Sequence, residues 1–125
     1  RVYDDARKYG YATMGFGSVF QLRAAIDYLL RVGVPNIEAH TVGLAQQLNT
    51  GLVGQGHDVW TPKDNRSPIV TFRHHRDIAL VRSTLEEAGI RISFKAEGDE
   101  LRAGIALFNN SDDIDKLLDV TGNWA

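Results

Sequence analysis

Leu101-Arg-Ala-Gly-Ile-Ala-Leu-Phe-Asn-Asn-Ser-Asp-Asp-Ile114 carries one arginine through an apolar strand and straight into a capped helix. Leu101, Ala103, Ile105 and Leu107 alternate with Arg102, Gly104, Ala106 and Phe108, so a period of two sets Arg102 on the face opposite the main apolar row. A rigid fork of donors held at a defined height suits a carboxylate. On spacing alone, a strand arginine that pairs with a neighbouring acid or lies in solvent is the simpler account. After the strand, Ser111 is a candidate cap, Asp112 and Asp113 complement the positive end of the helix dipole, and Ile114, Leu117 and Leu118 seek the sheet.

Working outward, Ile90-Arg-Ile-Ser-Phe94 alternates strictly and pairs with the Leu101 strand across Ala96-Glu-Gly-Asp99. Asp77 can cap a helix whose Ile78, Val81, Leu85 and Ala88 face inward, with Gly89 closing it. Ile69-Val-Thr-Phe-Arg73 is β-branched and aromatic, and Asp58-Val-Trp60 reads as a brief edge strand between turn-forming segments. Ile37, Thr41, Leu44, Ala45, Leu48 and Leu52 form a helical stripe that stops near Gly54, with Pro35 suited to its first turn. Upstream, Ser18 and Gln21 make a capping box for a helix carrying Val19, Leu22, Ala25, Ile26 and Leu29, which Gly33 ends.

The residues before Ser18 show no sustained period. They read as an arm over 1–17, or a remnant of another domain, ahead of a unit over 18–125. The order of elements after Gly54 predicts an α+β fold, a mainly antiparallel sheet with helices on one face.

Composition narrows the classes of function. The chain has 125 residues, 43% of them hydrophobic and 24% charged, enough to bury a core without staples. A net charge of -2 with scattered basic residues leaves no footprint for nucleic acid. No apolar run approaches the ~20 residues of a membrane span, and residues 1–8 lack the apolar region of a signal peptide. A cytoplasmic parent protein is therefore expected. There is no cysteine, which excludes disulfides and thiolate chemistry within this chain.

From Tyr11-Ala-Thr-Met-Gly-Phe-Gly-Ser18, through Ala24-Ala-Ile-Asp-Tyr-Leu-Leu30 and Gly33-Val-Pro-Asn-Ile-Glu38, to Leu101-Arg-Ala103 and Asn109-Asn-Ser-Asp-Asp-Ile114, the sequence resembles the C-terminal part of class V pyridoxal-phosphate enzymes. The resemblance covers essentially all of this chain but only the last third or so of such an enzyme. It implies a small C-terminal domain preceded by an arm and connecting helices, drawn from a homodimeric parent that acts on an amino acid.

It also implies that Arg102 binds the substrate α-carboxylate, that Thr13 contacts the cofactor phosphate, and that Asn109 ties the turn between strand and helix. Pyridoxal phosphate would belong to the parent enzyme. The family's imine-forming lysine lies upstream of Tyr11, so this chain is expected to be inactive and to hold no cofactor alone. Ala12 stands where the family has glycine, which weakens close backbone approach to a phosphate.

Cysteine desulfurases of this family commonly carry a nucleophilic cysteine ahead of the arginine strand. The short, cysteine-free Lys95-Ala-Glu-Gly-Asp-Glu100 connection favours an aminotransferase-, epimerase- or lyase-like member instead.

The other candidates are weaker. Gly15, Gly17 and Ser18 open a helix and can attract an anion or simply turn the chain. His74 and His75 are adjacent, so their rings diverge and no metal-ligand spacing results. His40 and His57 read as solvated, and Arg23 with Asp27 as a surface pair. Tyr3, Tyr9 and Tyr11 read as packing residues at a domain interface. From a different class, a non-catalytic α+β module that binds a small acidic ligand or a protein partner would use the same sheet.

Overall fold

The computed structural model describes residues 3–10 and 15–124. The chain forms two compact units, Arg1–Val34 and Pro35–Ala125.

In the first unit a short 3-10 turn, Ala6–Tyr9, is capped by the Asp5 carboxylate, and helix α1 spans Phe16–Val32. The cap of α1 differs from the sequence expectation: Gly15 occupies it with no side-chain hydrogen bond, and Ser18 lies inside the first turn. The Ser18 and Val19 amides donate to the Gly15 carbonyl, so a backbone group does the capping. At the other end Gly33 takes φ +91° and returns its amide to the Leu29 carbonyl, a left-handed exit suited to glycine. No residue of α1 is buried, and Phe16, Phe20, Leu22 and Leu30 are all more than 60% exposed.

Helix α2 spans Val34–Gly54 and belongs to the second unit from Pro35 onward; its buried residues are Thr41, Leu44, Ala45, Leu48, Asn49 and Leu52. That is the expected stripe from Thr41 onward with Asn49 added, while Ile37, the first expected member, is only half-buried. The Asn49 side-chain amide donates to the Thr61 carbonyl at 2.9 Å, which satisfies a polar group inside the core. Strands β1 (Asp58–Val59) and β2 (Ile69–Arg73) precede α3 (Ile78–Glu87), then β3 (Ser93–Lys95), β4 (Glu100–Gly104) and α4 (Ser111–Gly122) follow.

The four strands form one antiparallel sheet in the order β1-β2-β4-β3. Val70 and Phe72 of β2 and Leu101 and Ala103 of β4 meet Leu48 and Leu52 of α2, Val81 and Leu85 of α3, and Ile114 and Leu117 of α4 in one core. Its helices therefore cover one face. On the other face Thr71, Arg73, Glu100, Arg102 and Ser93 are half-buried or exposed.

Three boundaries move relative to the sequence reading. The strand expected over Ile90–Phe94 is confined to Ser93–Lys95, because the Ile90 amide still donates to the Leu85 carbonyl and belongs to the exit of α3. The arginine strand ends at Gly104, where the Ile105 amide turns to the Pro68 carbonyl. The cap of α4 is Asn110 rather than Ser111: the Asn110 side chain accepts from the Asp113 amide while the Asp113 carboxylate accepts from the Asn110 amide, a reciprocal capping box.

Candidate functional site

The helix-free face of the sheet is built by register. Thr71 of β2 and Ser93 of β3 stand directly opposite Arg102, and Arg73 and Lys95 stand opposite Glu100. Directly opposed residues share a face with Cβ atoms about 5 Å apart, so Ser93, Arg102 and Thr71 form one row across the sheet. Arg102 is exposed, and among the described residues no ion pair or hydrogen bond reaches its guanidinium. The neighbours give it a fixed base while the fork of donors stays available.

The row beside it is the opposite case. Arg73 Nη2 lies 3.4 Å from Glu100 Oε1, and its Nε lies 3.2 Å from Asp99 Oδ2. The Nε contact is an ion pair without the alignment of a hydrogen bond, so that buried N–H has charge compensation but no bonded acceptor. The same guanidinium sits 4.4 Å above the Trp60 ring, whose indole N–H donates to the Asp58 carboxylate. Two acids and an aromatic face hold Arg73 in a single position. Sequence reading marked Arg73 only as the end of a strand, since its partners lie 26 and 27 residues away.

At the far end of β4 Asn109 ties the turn: its Oδ1 accepts from the Ala106 amide at 2.9 Å, and its Nδ2 donates to Asp113 Oδ2 at 3.0 Å. These hydrogen bonds, the Asn109 amide first and the Asn110 backbone second, hold the Asp113 carboxyl below the ordinary aspartate value, with Lys116 adding attraction. His40 accompanies them through a 2.8 Å contact from its Nε2 to the Asn109 carbonyl.

Two histidines read as solvated or uninformative are structural. His57 places Nε2 3.1 Å from the Thr121 carbonyl and its ring edge-on to Phe72. His74 is buried, with Nε2 2.6 Å from the Gly98 carbonyl and Nδ1 accepting from the Arg76 amide. With Nδ1 accepting, Nε2 is the ring nitrogen left to donate to the Gly98 carbonyl.

Thr13 and Tyr11 lie outside the described residues. Tyr3 and Tyr9 are exposed and stack under Arg7 and Lys8. Arg23 and Asp27 form the expected surface pair at 3.7 Å. A cleft of about 460 Å³ lined by Leu48, Ile92, Ala103, Ile105, Ile114 and Leu117 opens beside β4, but Arg102 is not among its lining residues.

Residues that would bind pyridoxal phosphate do not come together among those described. Lys8, Lys63, Lys95 and Lys116 are all exposed and lie on separate segments, so none sits in the enclosed setting that an imine-forming lysine needs. The described residues do not by themselves fit that cofactor.

No family model and no curated protein matches this sequence. Solved structures do. The cysteine desulfurase from Thermococcus onnurineus NA1 superposes with a TM-score of 0.84 at 18% identity, over 98% of this chain and 34% of that one. The cystine C-S lyase C-DES, in complex with its reaction product cysteine persulfide, gives 0.83 at 19% identity, over 98% of this chain and 33% of that one. The cysteine desulfurase CsdA from Escherichia coli gives 0.77 at 20% identity, over 90% and 31%. The chain spans about a third of the length of each, and its fold is that of the small domain of the class V aminotransferase fold.

Proposed function

We propose that this chain is the C-terminal small domain of a pyridoxal-phosphate-dependent enzyme acting on an amino acid, in which Arg102 receives the substrate α-carboxylate. The observation that carries this reading is the exposed Arg102 guanidinium, held on the helix-free face between Thr71 and Ser93 and unpaired among the described residues. A planar, permanently charged fork binds a carboxylate with two parallel hydrogen bonds and so sets the orientation of the amino acid as well as its charge. The cofactor, when bound, supplies the electron sink for the bond to be broken at Cα. Its holding residues belong to the rest of the parent, with the Thr13 hydroxyl as this segment's contribution to the phosphate.

The solved neighbours include cysteine desulfurases, yet this chain has no cysteine, and its β3–β4 connection is a short kinked turn with Glu97 at φ +58°. That connection offers no thiol nucleophile, which supports an aminotransferase, epimerase or lyase reaction. The apolar residues that α1 exposes support its burial against the large domain or the second subunit of a dimeric parent.

The test is amino-acid kinetics of the parent enzyme carrying Arg102→Ala and Arg102→Lys. Loss of the fork should cost on the order of 2 to 4 kcal/mol of substrate binding, and lysine should restore little because charge without bidentate geometry leaves the substrate poorly oriented. Unchanged kinetics in both variants would sink the reading.

A further inference from the structure

We propose that Arg73 is a positioning residue for the Arg102 site, one that keeps the guanidinium open by drawing the acid of its own strand away from it. The inference rests on the carboxylate reading of Arg102 and deepens it.

Glu100 and Arg102 lie two residues apart on β4, on the same face, hence about 6.7 Å apart along the strand. Side chains of that length span such a gap readily, so a free Glu100 would neutralise Arg102 and compete with an incoming carboxylate. The structure shows Glu100 engaged elsewhere. Its Oε1 is 3.4 Å from Arg73 Nη2, and its side chain is only 13% exposed.

Arg73 is itself held by Asp99 on one side and by the Trp60 ring beneath it, contacts that oppose its swinging away from the acid. Among the described residues, the other charged group that register sets opposite Glu100 is Lys95 of β3, which is exposed and makes no ion pair with it. The neighbours of Arg102 across the sheet, Thr71 and Ser93, are neutral. Glu100 is therefore the acid that register brings within reach of Arg102 on this face, and Arg73 holds it.

The experiment follows the Arg102 Nε–H resonance of the full chain by NMR, with sodium acetate as the carboxylate probe at constant ionic strength and circular dichroism as the folding control. In Arg73→Gln the Arg102 resonance should move before any acetate is added, and its acetate affinity should fall at least threefold. Adding Glu100→Gln should reverse both changes. Arg73→Lys, which keeps a cation opposite Glu100, should retain most of the wild-type response.

Glu100→Gln alone removes the acid without removing Arg73 and should leave the acetate affinity of Arg102 at its wild-type value. A gain of threefold or more there would show that Glu100 already competes in the native chain, and would overturn the proposal. So would an Arg102 resonance and affinity unchanged in Arg73→Gln, an outcome that leaves the carboxylate reading standing. An Arg102 resonance that ignores acetate in the wild-type chain would instead remove the carboxylate reading, and this proposal with it.

Discussion

The buried imidazole of His74 meets the carbonyl of Gly98 at 2.6 Å, joining the end of β2 to the turn between β3 and β4. Gly98 holds φ +109°, and a Cβ built on it would stand 1.8 Å from Ile78 Cδ1 of α3. Backbone conformation and packing thus both require glycine at the point where the β3–β4 hairpin, a strand exit and a helix start converge. Gly98→Ala should destabilise the chain by about 2 kcal/mol or more. Urea unfolding should show a lower midpoint at an unchanged slope, whereas a midpoint equal to wild type would show that Ile78 gives way freely.

Gly51 tests packing without backbone strain. It lies within α2, and a Cβ there would meet both Leu118 methyl groups at 2.6 Å, so the absent side chain is what lets α2 and α4 approach. Gly51→Ala gains helix propensity of nearly 1 kcal/mol but overpacks the contact by about 1 to 3 kcal/mol. The expected net is a loss. Trimming the neighbour in Gly51→Ala/Leu118→Ala should turn the alanine at position 51 from harmful to neutral or favourable, and a double-mutant cycle showing no coupling would refute the account.

Arg102→Ala should change the stability of this chain by less than ~1 kcal/mol, since the side chain is exposed and bonds to no other described residue. Thermal or denaturant unfolding measures it directly. A loss of several kcal/mol would make Arg102 a structural residue and remove the main support for its role in binding.

Acid should loosen the last helix through Asp113. Its folded carboxyl titrates below the ordinary aspartate value, held there first by Asn109 and then by the Asn110 amide. A depressed folded value stabilises the folded chain fully above the unfolded value of about 3.9, and that contribution is lost as pH falls through the folded one. Asp113→Asn should flatten the acid limb of the stability profile below about pH 4. An acid limb identical to wild type would show that the capping box carries no pH dependence.

The elements that sequence disclosed are those whose signal is local and repeated. Leu44, Leu48 and Leu52 recur on one face of α2, Val70 and Phe72 alternate along β2, and Asp77 caps α3 through the amides of Ala79 and Leu80. Where several neighbours could serve equally, the choice passed to geometry. Asn109, Asn110 and Ser111 can all cap a helix, and only the reciprocal bond with Asp113 selects Asn110. The alternation of Ile90 to Phe94 is real as burial, with Ile90, Ile92 and Phe94 all packed against the core, but pairing with β4 begins only at Ser93, because the Ile90 amide is still bonded to the Leu85 carbonyl at the exit of α3.

At the site, the exposure of Arg102 on the helix-free face could be read from its strand position. The arrangement around Arg73 could not, because Trp60, Asp99 and Glu100 are brought to it by strand register and turn geometry, neither of which leaves a periodic trace.

The outermost strands are also the shortest: β1 has two residues and β3 has three, while the five-residue strands β2 and β4 are enclosed between them. A sheet so terminated exposes few unpaired amides and carbonyls along its rims, and Lys95 adds a charge to one of them. An incoming strand would find too short a template to pair with, a protection against fibril-like stacking. Copies of this chain that associate would have to do so through side-chain surfaces, leaving the hydrogen-bonded framework of the sheet closed to extension.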